Sequence, residues 1–152
     1  MKTDRQKGVT LIELMVTIAA ASILMLMVAL ILMMAFQSWR INNAYADLRR
    51  DAALAFVRMV KDVREADYTG LTAGNPLTLP SAVTNKTVLY NQPTGGKTLL
   101  YSDGSGSSII IPDNVRVFTS VKQDDGVLLS LELANTNFNI AITNEVFVNT
   151  RN

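Results

Sequence analysis

Glu13 is the only charged side chain between Val9 and Trp39. A carboxylate at one end of an apolar run is costly to bury unless it reaches lipid headgroups or meets a cation. The chemistry it suggests is therefore charge pairing. Just ahead of the run stands Gly8, which has no side chain and can present an extended, uncapped peptide to a protease at a membrane surface. Lys2, Arg5 and Lys7 precede it against a single Asp4. On a helix Glu13 lies about 6 Å of rise from Val9, and inside a packed bundle its carboxylate would need a positive partner. The chain has 152 residues with neither Cys nor His, which excludes thiolate nucleophiles, Ser-His-Asp triads, disulfides, and zinc or haem sites of the usual ligand types. Two loops invite a binding reading. Gly95-Gly96-Lys97-Thr98 lacks the upstream glycine of a phosphate loop and precedes no helical pattern. Asp103-Gly104-Ser105-Gly106-Ser107 and the Asp124-Asp125 pair supply less than the ring of oxygens that calcium requires. Turn chemistry is the expectation for all three, with no cofactor and no metal.

These residues need an element to hold them, and Val9 to Trp39 provides it. The run exceeds the ~20 apolar residues that cross a bilayer core, so one membrane span is expected. The basic leader should remain cytoplasmic and the rest should face outward. Ala19, Ala20 and Ala21 could mimic a signal-peptide cleavage site, but the apolar run continues to Phe36 without turning polar, so they read as a close helix-packing surface. Met15, Met25, Met27, Met33 and Met34 read as flexible apolar packing. Neither glycine nor proline interrupts the run, and Ser22 and Leu30 leave the helix continuous.

Beyond Trp39 the residues Ile41, Tyr45, Leu48, Ala52, Phe56, Met59, Val63 and Ala66 recur at spacings of three or four, which is one helix face. The same helix is expected to run to Thr69 and stop at Gly70, about 90 Å of rod from Val9. Arg49, Arg50, Asp51, Arg58, Lys61, Asp62, Arg64 and Glu65 form its solvated face, with Arg58 and Asp62 spaced as an i,i+4 pair. From there helical spacing gives way to β-branched alternation between turns. Strands are predicted at 87–90, 98–101, 108–111, 115–122, 127–134, 138–143 and 146–150, with a hairpin turn at Gln123-Asp124-Asp125-Gly126. Val115, Val117, Thr119 and Val121 should share one face, and Val127, Leu129, Leu131 and Leu133 another. The expected fold is α+β: a long N-terminal helix, transmembrane and then amphipathic, packed against a C-terminal antiparallel sheet. The corresponding divisions are 1–8 (leader), 9–39 (span) and 40–152 (exported domain, with its helix at 40–69).

The segment Lys7-Gly8-Val9-Thr10-Leu11-Ile12-Glu13-Leu14-Met15-Val16, between a basic leader and an apolar helix, resembles the class III leader of type IV pilins and type II secretion pseudopilins. The resemblance implies recognition of Lys7 and Gly8 by a prepilin peptidase, cleavage between Gly8 and Val9, N-methylation of Val9, and a filament-assembly role for Glu13 as the fifth mature residue. It also implies the pilin fold. Further along, Asp47-Leu48-Arg49-Arg50-Asp51, Val60-Lys61-Asp62-Val63-Arg64-Glu65-Ala66 and the ending Val146-Phe147-Val148-Asn149-Thr150-Arg151-Asn152 resemble minor pseudopilin J and PilW-like minor pilins.

The expectation is a non-enzymatic minor subunit that assembles into or primes a type II secretion pseudopilus or a type IV pilus. Its partners would be prepilin peptidase, other major and minor pilins or pseudopilins, an inner-membrane assembly platform and membrane lipid. Its place would be the bacterial inner membrane, crossed once, with the C-terminal domain periplasmic before passage into a filament. Beyond Trp39 eleven basic residues balance eleven acids, so no basic stripe recommends nucleic acid as a partner. The alternative is a single-span anchor for a periplasmic binding or receptor domain, though a plain anchor requires neither Gly8 nor Glu13.

Overall fold

The computed structural model describes residues 10–81, 84 and 86–150. One helix, α1 (Leu11–Glu65), is followed by seven strands: β1 (Leu77–Pro80), β2 (Thr87–Asn91), β3 (Leu99–Ser102), β4 (Ser107–Ile111), β5 (Val115–Gln123), β6 (Gly126–Asn135) and β7 (Ile140–Asn149). The chain divides into two compact units, residues 1–42 and 43–152.

In the first unit α1 runs without a break, because no residue of α1 is glycine or proline, the two types most costly inside a helix. Thr17 Oγ1 donates to Leu14 O at 2.8 Å and Ser22 Oγ to Ile18 O at 2.8 Å. Both hydroxyls are thus satisfied within the helix and impose no polar demand on the apolar surface.

In the second unit the last turns of α1 bury one stripe: Ala44, Leu48, Ala52, Ala55, Phe56, Met59 and Val63. This is the expected face from Leu48 to Val63, while Tyr45, at 37% exposure, lies toward its edge. The helix ends at Glu65, not Thr69, because the chain turns into the sheet as soon as the stripe is complete. Ala66 bridges Ser81, and Asp67 N donates to Pro80 O at 2.7 Å. The Asp67 carboxylate then accepts from both the amide and the hydroxyl of Thr69. These two bonds hold its pKa below the ordinary aspartate value.

Two antiparallel meanders pack with this helix, in the orders β1-β2-β3-β4 and β5-β6-β7. The α+β fold expected from the sequence is present, with the strands divided between two sheets. Leu77, Leu79, Tyr90, Leu99 and Ile111 from the first sheet and Phe118, Leu129, Leu131 and Leu133 from the second are among the buried core. Strand β1 escapes the sequence pattern because Pro76 and Pro80 flank and end it. Proline is tolerated there because β1 is an edge strand. The two strands predicted at 138–143 and 146–150 are one, since Asn144 and Glu145 stay in register with Leu131 and Ser130.

The predicted hairpin is present. Gln123 pairs with Gly126, and Asp124 adopts φ 45°. A Cβ on Gly126 would collide with the Val148 carbonyl and the Phe147 ring, so close approach of β7 requires glycine there. The predicted faces of β5 need correction. A bulge between Val115 and Val117 shifts the register and reverses the alternation beyond it. Val115 is buried, but the inward residues thereafter are Phe118 and Ser120, while Val117 and Val121 face out at 43% and 55% exposure. On β6 the predicted inward set Val127, Leu129, Leu131 and Leu133 is fully buried.

Candidate functional site: the start of the helix

The site singled out by the sequence is the junction between leader and helix. Lys7, Gly8 and Val9, the expected recognition, cleavage and methylation positions, lie outside the described residues. The structure begins one residue later and shows how the junction is closed. Thr10 stands immediately before α1, its carbonyl accepting the first helical bond from Leu14 N at 3.1 Å. Its Oγ1 accepts from Glu13 N at 3.3 Å. A side-chain oxygen that satisfies the amide three residues on is an N-cap. Thr10-Leu11-Ile12-Glu13 is the threonine-x-x-glutamate spacing of a capping box, a signal readable in the sequence and missed there.

Glu13 thereby acquires an electrostatic role. It sits in the first turn of α1, where its negative charge complements the positive end of the helix dipole. Glu13 is exposed and no described side chain pairs with it.

The surface that follows is unusual for its uniformity: every side chain from Thr10 to Arg40 is exposed, and α1 contains a stretch long and apolar enough to cross a membrane. Leu11, Met25 and Met33 are each at least 70% exposed. A segment apolar all round requires an apolar environment, either lipid or other helices.

The remaining sequence candidates resolve into local architecture. Gly95 takes φ 72° and Gly96 N donates to Pro93 O at 2.8 Å, a tight turn into β3 and not the start of a helix. Asp103 accepts the Ser105 amide at 3.0 Å, which holds its pKa below the ordinary value. At the β5–β6 turn, Tyr68 donates its hydroxyl to the Asp124 carbonyl, and Thr150 donates both amide and hydroxyl to Asp125 O at 3.0 Å. Among the described residues no three metal-ligating side chains converge.

Arg58 is exposed, as expected of the solvated face, and Asp62 is half-buried, but the two do not form the ion pair their i,i+4 spacing suggests. Tyr90 donates its hydroxyl to Asp62 Oδ2 at 2.5 Å, and the Arg58 guanidinium lies 3.6 Å from the centre of the Tyr101 ring. The two rings meet edge to face at 5.5 Å. Tyr90 is fully buried, and this burial, reinforced by the Asp62 carboxylate, raises its pKa well above the ordinary phenol value. Helical spacing alone could not reveal this, because the tyrosines come from β2 and β3.

Residues 3–29 match the model of the prokaryotic N-terminal methylation motif, the type IV pilin-like prepilin leader. The match covers Arg5 and Lys7 of the basic leader, Gly8, Glu13 and about two thirds of the apolar run. The motif is that of pilin-like proteins with a prepilin leader, and with the apolar helix it fits membrane anchoring. No curated protein and no solved structure matches the chain.

Proposed function

We propose that this chain is a minor pilin or pseudopilin, a structural subunit that assembles into or primes a type II secretion pseudopilus or a type IV pilus. The observation that carries the reading is continuity: the methylation motif at 3–29 overlaps the start of a capped helix whose side chains are exposed from Thr10 to Arg40. Prepilin peptidase recognises Lys7 and Gly8, cuts between Gly8 and Val9, and methylates the Val9 amine. The basic leader stays cytoplasmic, the helix spans the inner membrane once, and the second unit faces the periplasm until extraction into a filament. Minor pseudopilin J and PilW-like minor pilins are the relatives whose local patterns the chain shares, which favours a place near the filament tip.

Glu13 serves assembly. Once subunits bundle, its carboxylate pairs with the Val9 ammonium of a neighbour and sets the axial register. Methylation preserves that charge. Removing one member of a desolvated ion pair leaves the other uncompensated, at a cost on the order of 3–5 kcal/mol. Glu13→Ala and Glu13→Gln are both expected to enter the membrane and to be cleaved as efficiently as the parent, since each removes a carboxylate that opposes insertion. Both should fail to co-purify with partner pilins from detergent-solubilised membranes. Normal complex formation by both variants would exclude the register role.

A further inference from the structure

The second unit contains a cleft of roughly 810 Å³ that the leader, the span and the filament reading leave unused. This volume is within the ordinary range of ligand sites, about 300–1,000 Å³. It is built by the β5 bulge, the loop from Gln92 to Lys97, and the turn between β6 and β7.

Gln92 fixes the wall. Its Nε2 donates to Gly96 O at 2.9 Å and Arg116 O at 3.1 Å, with a long contact to Val115 O at 3.5 Å, and its Oε1 accepts from Phe118 N at 2.8 Å. One side chain therefore ties the glycine turn to the outer edge of β5 at the bulge. Asn75 holds Gln92 in turn, exchanging bonds with its backbone at 2.8 and 2.9 Å. The bulge turns Val117 outward, and it lines the cleft together with the buried Val115 and Ile140. Bulges recur where a strand re-aims a side chain at a site.

Charge on the lining has one sign. Lys97 and Arg116 are present with no carboxylate, and Glu132 already engages Arg116 at 2.8 Å. Among the described residues no acid is paired with Lys97, and it lines the cleft together with Asn114 and Asn139. A single available ammonium matches one carboxylate. A phosphate would be better served by a bidentate guanidinium, which Glu132 occupies. Carboxamides donate and accept and so match peptide groups, while the exposed Val117 on the lining matches an apolar side chain.

We propose that this cleft docks an extended peptide segment of a partner protein, read by an acidic side chain on Lys97 flanked by apolar residues. The site is independent of Glu13 and of the span. The test is selection of a random dodecapeptide library on the full chain in non-ionic detergent, against Lys97→Glu and Ala141→Arg. Both substitutions fall at exposed positions lining the cleft. Peptides carrying Asp or Glu between apolar residues should be enriched on the parent and bind at least tenfold more weakly to either variant. Lys97→Glu should instead favour basic peptides, a reversal that a merely structural lysine would not produce. Equal recovery on parent and Ala141→Arg, or enrichment without an acidic bias, would overturn the proposal. A change of oligomeric state in Ala141→Arg without loss of peptide binding would assign the cleft to self-association and equally overturn it. Because processing and filament entry depend on other residues, loss of this docking would leave the filament reading intact.

Discussion

One helix serves two environments in this protein, and its halves differ in a single respect. From Thr10 to Arg40 no side chain is covered, whereas from Ala44 to Val63 one stripe is buried and the rest is solvated. Backbone propensity does not distinguish the halves, since both lack glycine and proline. The difference lies in the angular distribution of apolar residues: complete around the axis before Trp39, confined to one face after it. The first pattern requires an apolar medium, and the second requires only the chain's own sheets.

The sharpest way to break this comparison is to place a charge on each face of the same solvated stretch. Leu48 is buried and Leu54 is 62% exposed. Leu48→Asp buries an unpartnered carboxylate and should destabilise the second unit by about 3–5 kcal/mol, abolishing a cooperative melt. Leu54→Asp should shift stability by less than about 0.5 kcal/mol. Similar melting of both variants would show that the buried stripe is misplaced.

A smaller effect is expected where the helix meets the first sheet. Tyr90→Phe removes a hydrogen bond to the Asp62 carboxylate, worth about 1.5–3 kcal/mol for a charged acceptor. The raised pKa of Tyr90 adds a pH signature with a definite sign. The folded state retains the phenolic proton more tightly than the unfolded chain, so this contribution is complete below about pH 10 and declines as pH rises beyond it. Denaturant midpoints measured from neutral to strongly alkaline pH should fall more steeply in the parent than in Tyr90→Phe. Parallel profiles would exclude the buried phenol as the origin.

The smallest effect belongs to the helix start. Thr10→Ala deletes the cap at a cost of about 1 kcal/mol, felt only in the first turn. Hydrogen exchange in micelles should accelerate at Glu13 while the second unit melts unchanged. Unaltered exchange there would show that the threonine hydroxyl does not close the helix.

Much of this architecture is legible in the sequence, where periodicity is strong and local. The apolar run, the stripe from Leu48 to Val63, the Asp124-Asp125 hairpin and the inward face of β6 all follow from spacing. What escapes is what long-range contact decides. The bulge after Val115 inverts a face that strict alternation assigns to Val117 and Val121. β1 is obscured by the prolines that its edge position tolerates. Arg58 and Asp62 follow helical spacing but find tyrosines supplied by β2 and β3. At the candidate site the motif at Gly8 and Glu13 is plain, and the Thr10 cap was equally readable from its three-residue offset to Glu13. The Gln92 cleft was not, because it forms only when a loop, a bulge and a distant turn converge.

A prepilin is defined by where its mature chain begins. Intact-mass measurement of the protein from membranes of cells with an active prepilin peptidase should give a chain starting at Val9 and carrying one added methyl group, while cells lacking the peptidase should retain the full leader. Recovery of the uncut chain despite an active peptidase, or of a new terminus near Ser22, would contradict the prepilin reading and leave a signal-bearing or singly anchored domain in its place.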